Sequence, residues 1–131
     1  MTPEEIIKTA KTYAIIGASG APDRYGYELV EVMHNAGCTI FPVNPKYPEI
    51  LGMKCYPLLQ DVPQKPDVVI TAVAPHNTLK AIETAAEIGI HIIWMPQECW
   101  SEDTIQKCKE LNLDFVYDVC PISYINSGKC K

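Results

Sequence analysis

The order of features between Thr12 and Lys46 limits the fold more than any other property of this chain. An apolar run, Tyr13-Ala14-Ile15-Ile16, breaks into Gly17-Ala18-Ser19-Gly20-Ala21-Pro22-Asp23-Arg24. A stripe of Gly26, Leu29, Val30, Met33 and Gly37 then repeats at helical spacing, and a second apolar run ends in Val43-Asn44-Pro45-Lys46. Together these read as strand, glycine loop, helix and strand. A buried parallel strand that feeds a helix through such a loop aims several backbone N–H groups at one point, where the helix dipole also favours an anion. The stretch suits a phosphate.

The 131 residues supply one domain, residues 1–131, able to bury roughly two thirds of the surface an unfolded chain exposes. No apolar run approaches the ~20 residues that span a bilayer. The start, Met1-Thr2-Pro3-Glu4-Glu5, is acidic where a signal peptide is basic, so a cytoplasmic location is expected. A net charge of −5 argues against a general nucleic-acid binder, and an anionic ligand must be met by local groups. Of the 11 basic residues only Arg24 is an arginine, and it sits in the glycine loop, where its planar fork suits phosphate oxygens. The bland alternative is a surface arginine with no ligand.

Six cysteines, at 38, 55, 99, 108, 120 and 130, show neither a C-x-x-C pair nor a zinc spacing, and no metal site is expected. Cys38, Cys55 and Cys108 fit small apolar core positions. Cys120 and Cys130 have no such ready explanation.

Taken in order, Thr2-Pro3-Glu4-Glu5 is a capping box that opens a short helix to about Ala10, expected over a sheet edge. Strand one is Tyr13 to Ile16, and Gly37 ends the following helix. Strand two is Thr39 to Val43. Met53 to Tyr56 reads as a short edge strand, Leu58 to Asp61 as one helical turn, and the β-branched run Val68 to Val73 as a strand buried on both faces. Asn77 is a candidate cap for a helix whose inner face is Leu79, Ile82, Ala85 and Ala86, ending at Gly89. Strand four is Ile90 to Met95. Ser101 caps a helix with Ile105, Cys108 and Leu111 inward, and strand five is Asp114 to Tyr117. Residues 122–131 read as an irregular tail.

Alternating strands and helices predict an α/β fold: a Rossmann-like, doubly wound, five-stranded parallel sheet with helices on both faces. Ligands of such sheets bind beyond the carboxyl ends of the strands, so the loops at Gly17 to Tyr25, Asn44 to Lys46, Val73 to Asn77 and Met95 to Cys99 should converge.

The loop does not match G-x-G-x-x-G. At the end of strand two, where an NAD site places an acid for the ribose diol, stands Val43-Asn44-Pro45-Lys46 with a lysine instead. That substitution favours an adenosine bearing an extra phosphate, as in NADP or coenzyme A. A solvated turn lysine is the alternative.

Gly17-Ala18-Ser19 with Pro22-Asp23-Arg24, Val43-Asn44-Pro45-Lys46-Tyr47, Leu51-Gly52, Tyr56-Pro57, Trp94-Met95 and Asp118-Val119-Cys120-Pro121 together resemble the small stand-alone CoA-binding proteins. These are similar to the N-terminal domain of the succinyl-CoA synthetase alpha subunit. The resemblance runs from about Thr9 to Pro121. It implies that Gly17, Ala18 and Ser19 approach the pyrophosphate, that Arg24 and Tyr25 close over it, and that Asn44, Pro45 and Lys46 hold the ribose phosphate end. By the same resemblance Val73, Ala74 and Pro75 pack on the adenine or the pantetheine arm. Val119 departs from the family, where a basic residue often precedes the cysteine.

The function expected is binding of coenzyme A or an acyl-CoA by a non-catalytic binding or regulatory module. The rivals are a small NADP-linked oxidoreductase and an interaction subunit without ligand. His34 and His91 read as structural. His76 stands at the expected site but has no paired nucleophile or acid. Glu98 and Asp118 follow strands four and five, and Asp118 suits a turn. Cys120, or Cys99 in the preceding loop, is placed to form a mixed disulfide with a ligand that ends in a thiol. An edge near Cys55 or the tail offers a surface for a homodimer.

Overall fold

The computed structural model describes residues 1–125. Five parallel strands form the central sheet: β1 (Thr12–Ile16), β2 (Thr39–Val43), β5 (Val68–Thr71), β6 (Ile92–Met95) and β7 (Asp114–Tyr117). A separate antiparallel hairpin pairs β3 (Glu49–Ile50) with β4 (Met53–Lys54). The main sheet runs β2-β1-β5-β6-β7. The chain steps from β1 outward to β2, then returns to the other side of β1 at β5, so strand order reverses between β1 and β5. Ile16 pairs with Val43 on one side and with Thr71 on the other, which brings the ends of three strands to one level.

Burial on both faces explains the β-branched runs. Val68, Val69, Ile70 and Thr71 are all fully buried, alternate residues serving opposite faces. One face carries α1 (Pro3–Thr9) and α2 (Tyr25–Asn35), whose Ile6, Ile7, Leu29, Val30 and Met33 pack with Tyr13, Ile15, Ile70 and Trp94. The other carries α3 (Pro75–Ile88) and α4 (Glu102–Glu110), whose Ile82, Ala85 and Cys108 pack with Ala14, Val69, Ile93 and Met95. Each large aliphatic so buried contributes about 1.5–3 kcal/mol.

Several details differ from expectation. The opening helix joins α2 on a face of the sheet, because Ile6 is fully buried in that cluster, and does not merely cover an edge. Helix α3 starts at Pro75 with Ala74 as its N-cap, so Asn77 lies inside the first turn and caps nothing. Its buried stripe is Thr78, Ala81, Ile82 and Ala85, rotated from the expected one. In α4 the inner positions are Thr104 and Cys108, while Leu111 is exposed. The edge strand expected over Met53 to Tyr56 stops at Lys54; Cys55 is buried, and Tyr56 makes an isolated bridge to Val43. Backbone bonds from Tyr56 N to Pro42 O (2.9 Å) and from Asn44 N to Tyr56 O (2.9 Å) close that edge of β2. The expected irregular tail instead begins as a 3-10 turn, Pro121–Tyr124, with Ile125 buried against the α1 and α2 face. Cys130 and the rest of the tail lie outside the described residues.

Candidate functional site

The site is assembled at the carboxyl ends of β1, β2 and β5. Gly17 leaves β1 at φ +90°, its N–H donating to Val43 O at 3.1 Å. A Cβ there would run into the carbonyl of Ala72, so only glycine allows the β1 and β5 loops to approach this closely. Gly26, in the first turn of α2, lies against the Gly17 carbonyl, and a side chain would push the helix away from the loop. This is close helix–strand packing by a glycine, the role of the last glycine in dinucleotide loops.

Side chains then tie the first two loops together. Asn44 Nδ2 donates to Ala18 O at 2.9 Å, while its Oδ1 accepts from Lys46 N at 2.9 Å. Ser19 is buried; its Oγ accepts from Ala21 N at 3.0 Å and stands 3.4 Å from Tyr47 Oη. Helix α2 begins at Arg24 without a side-chain cap, leaving its amino end open toward the loop.

A cavity of about 290 Å³ results, lined by Gly17, Ser19, Arg24, Tyr25, Asn44 and Lys46 among others. The guanidinium and ammonium groups that the sequence separates by 22 positions therefore flank one space. Toward α3 a second cavity, about 370 Å³, is lined by Pro45, Pro57, Leu58, Asn77 and Lys80 and shares Gly17, Asn44 and Val73 with the first. Toward β7 a third, about 490 Å³, is lined by Ala74, Gln97, Glu98, Cys99 and Cys120 and shares Tyr25, Ala72 and Val73. Val73, at the point where strand order reverses, borders all three.

Most of the residues singled out from sequence thus converge, with two exceptions. Ala18 is fully buried, its carbonyl is taken by Asn44, and it lines none of the three cavities. Pro75 is the first residue of α3 and lines none of the three cavities. His76 is exposed and also outside them. His91 is exposed and precedes β6, at the opposite end of the sheet, and His34 is exposed on α2. Glu98 borders the third cavity, whereas the Asp118 carboxylate accepts from Trp100 Nε1 at 3.1 Å. Both adopt positive φ, +67° and +62°, as the chain leaves β6 and β7.

Tyr47, Lys80 and Gln97 escaped the sequence reading. Lys80 had a signal, standing three positions after Asn77 and hence on the same side of α3. Tyr47 belongs to a motif of the family resemblance but was given no role, and Gln97 had no signal beyond loop position. Also unforeseen is the bond from Tyr25 Oη to Cys120 Sγ, 2.9 Å across a separation of 95 residues. Burial, reinforced by this thiol, pushes the Tyr25 phenol well above its ordinary range. Burial also pushes the Cys99 thiol up, Glu98 adding to the shift and a Val73 backbone contact opposing it. Among the described residues no group of three or more His, Cys, Asp or Glu side chains is gathered to hold a metal ion.

Residues 11–125 match the family model described as CoA binding domain. The chain belongs to the CoA-binding domain family. This CoA-binding domain is 29% identical over 117 residues to the uncharacterized protein YneT of Bacillus subtilis, a match covering 89% of this chain and 87% of that one. It is 38% identical over 73 residues to the ADP-forming acetate–CoA ligase I of Archaeoglobus fulgidus, covering 56% of this chain but 11% of the ligase. The matched part is thus about a tenth of that enzyme. A solved structure of a hypothetical protein from Pyrococcus horikoshii superposes with a TM-score of 0.88 at 33% identity, covering 95% of this chain and 89% of the other. The family and the Rossmann-like α/β architecture expected from sequence are both borne out.

Proposed function

We propose that this CoA-binding domain holds coenzyme A or an acyl-CoA across the carboxyl edge of its sheet, as a binding or regulatory module. The observation that carries the reading is the single cavity bordered by Arg24, Lys46 and the open start of α2. Two cations and backbone donors around a glycine loop are what a pyrophosphate and a ribose phosphate require. Gly17, Ala18 and Ser19 form the turn under the pyrophosphate, with the Ser19 amide as donor because Val43 O holds the Gly17 N–H; Arg24 and Tyr25 close over it, and Asn44, Pro45 and Lys46 hold the ribose phosphate. Val73 and Ala74 supply apolar backing, while Pro75 stands outside the cavities as the first residue of α3. The acetate–CoA ligase relatives use CoA by name, which supports the choice of CoA over NADP. That His76 stands outside the cavities supports binding without acid–base chemistry. Titration calorimetry with CoA, dephospho-CoA and NADPH tests the assignment. CoA is expected to bind in preference to NADPH. Arg24→Ala and Lys46→Ala should each weaken CoA by about 1–3 kcal/mol, as loss of a charge-assisted contact does. Dephospho-CoA should be almost indifferent to Lys46→Ala; equal losses for both ligands refute the role of Lys46, and preference for NADPH refutes the choice of coenzyme.

A further inference from the structure

The third cavity contains two thiols, Cys99 and Cys120, and adjoins the anion cavity through Tyr25, Ala72 and Val73. Its walls are fixed from several directions. Trp94 Nε1 donates to Val119 O at 2.9 Å, and Asp118 N donates to Met95 O at 2.9 Å, so the loop after β7 holds Cys120 in place. Thr78 Oγ1 donates to Cys99 O at 2.8 Å and anchors the loop after β6.

The two thiols differ. Cys99 is 8% exposed and burial pushes its thiol up, while Cys120 is half-buried and receives the Tyr25 hydroxyl at 2.9 Å. Exchange requires a sulfur that a disulfide can reach, and Cys120 is the more open of the two, its sulfur held in the cavity wall by the Tyr25 hydroxyl. Cys55 and Cys108 are buried elsewhere, the thiol of Cys108 pushed up to about 12 by burial.

We propose that Cys120, with Tyr25 as hydrogen-bond donor, is a thiol–disulfide exchange site for the thiol end of a nucleotide seated in the adjoining cavity. The inference rests on the CoA reading above. The oxidant is the symmetric disulfide of the coenzyme. The Cys120 thiolate attacks one of its sulfurs, the coenzyme S–S bond breaks, and a bond forms between Cys120 Sγ and that sulfur. The second coenzyme leaves as a thiolate and takes up the proton that Cys120 gave to solvent. Cys120 is oxidised, and the displaced coenzyme is reduced.

The test exposes the full chain to CoA disulfide, reads the adduct by intact mass and peptide mapping, and measures CoA binding in parallel by calorimetry. One coenzyme adduct on Cys120 is expected, lost in Cys120→Ser while that variant still binds CoA. Tyr25→Phe should slow adduct formation about tenfold in the folded protein yet leave the rate unchanged when both proteins are unfolded in guanidinium. Glutathione disulfide should react much more slowly than CoA disulfide. Wild-type protein that binds CoA but acquires no adduct, or an adduct that persists in Cys120→Ser, overturns the exchange site. Protein that does not bind CoA, and reacts equally with both disulfides, overturns the CoA reading and the coenzyme preference with it.

Discussion

The four α-helices of the described residues begin in two different ways. Helices α1 and α4 close their amino ends with reciprocal capping boxes: Thr2 with Glu5, and Ser101 with Thr104. Glu5 N donates to Thr2 Oγ1 at 3.2 Å and Thr2 N to Glu5 Oε1 at 2.7 Å; in α4 the corresponding distances are 3.3 and 2.8 Å. Helices α2 and α3 have Arg24 and Ala74 at the N-cap, with no side-chain cap hydrogen bond. These are the two helices that follow β1 and β5, the strands between which the order reverses. A cap satisfies one or two orphan donors and is worth about 1 kcal/mol, so its omission at both helices costs stability that a better sequence would recover. The chain satisfies its helix starts where they only stabilise the fold and leaves them open beside the proposed ligand cavities, α2 at the first and α3 at the third.

The contrast can be strained at several points. Gly17→Ala has the largest expected effect, because the new Cβ enters the Ala72 carbonyl while φ stays positive. Overpacking and left-handed strain together should lower stability by about 3 kcal/mol or more, read by thermal or urea denaturation, and abolish CoA binding. Gly20→Ala is milder, since its Cβ meets only the movable ring of Tyr47 at 2.9 Å.

Next come the caps. Ser101→Ala should destabilise by about 1 kcal/mol and leave CoA affinity unchanged. Ala74→Asp, which installs a cap on α3, should act oppositely: about 0.5–1 kcal/mol more stable, yet weaker for CoA because a carboxylate replaces the apolar backing that Ala74 gives in the third cavity. If Ala74→Asp binds CoA as tightly as wild type, the open start of α3 has no part in recognition. The smallest effect belongs to Glu5. Its hydrogen bonds to Thr2 hold its carboxyl below the usual range, so its contribution is present above the ordinary glutamate pKa and fades as pH falls through the folded value. Glu5→Gln should flatten that part of the acid limb of a stability-against-pH curve, followed by circular dichroism.

Much of this was readable because it is local. The runs Thr39 to Val43 and Asp114 to Tyr117 have the strand bounds that their composition implied. The Ser101 cap and the turn at Leu59–Asp61 likewise depend on residues within a few positions of one another. Helix α3 shows where locality stops. The stripes Leu79-Ile82-Ala85-Ala86 and Thr78-Ala81-Ile82-Ala85 both keep helical spacing and share Ile82 and Ala85, and packing of those two against Val69 and Ile93 leaves Thr78 and Ala81 as the other buried pair. Its start was misplaced for a related reason: Pro75, with its fixed φ and no N–H to satisfy, begins the helix two residues ahead of the polar cap candidate.

At the site, the glycine loop, Arg24 and Asn44 to Lys46 were legible because turns and close approaches restrict residue type. Tyr47, Lys80, Gln97 and the Tyr25–Cys120 contact were not, since nothing in local spacing links Tyr25 to a cysteine 95 positions away.

The order of amino acids alone determined the alternation of strands and helices, hence a parallel sheet with crossovers, and marked the glycine loop as a candidate anion site. Hydrophobic period and backbone sterics act over a few residues, and those are written directly in the chain. Only the tertiary structure decided that β5 lies beside β1, that Arg24 and Lys46 border one cavity, and that Cys99 and Cys120 border the next. Those juxtapositions follow from burying both sheet faces at once, a condition on the whole molecule that no short window of sequence contains.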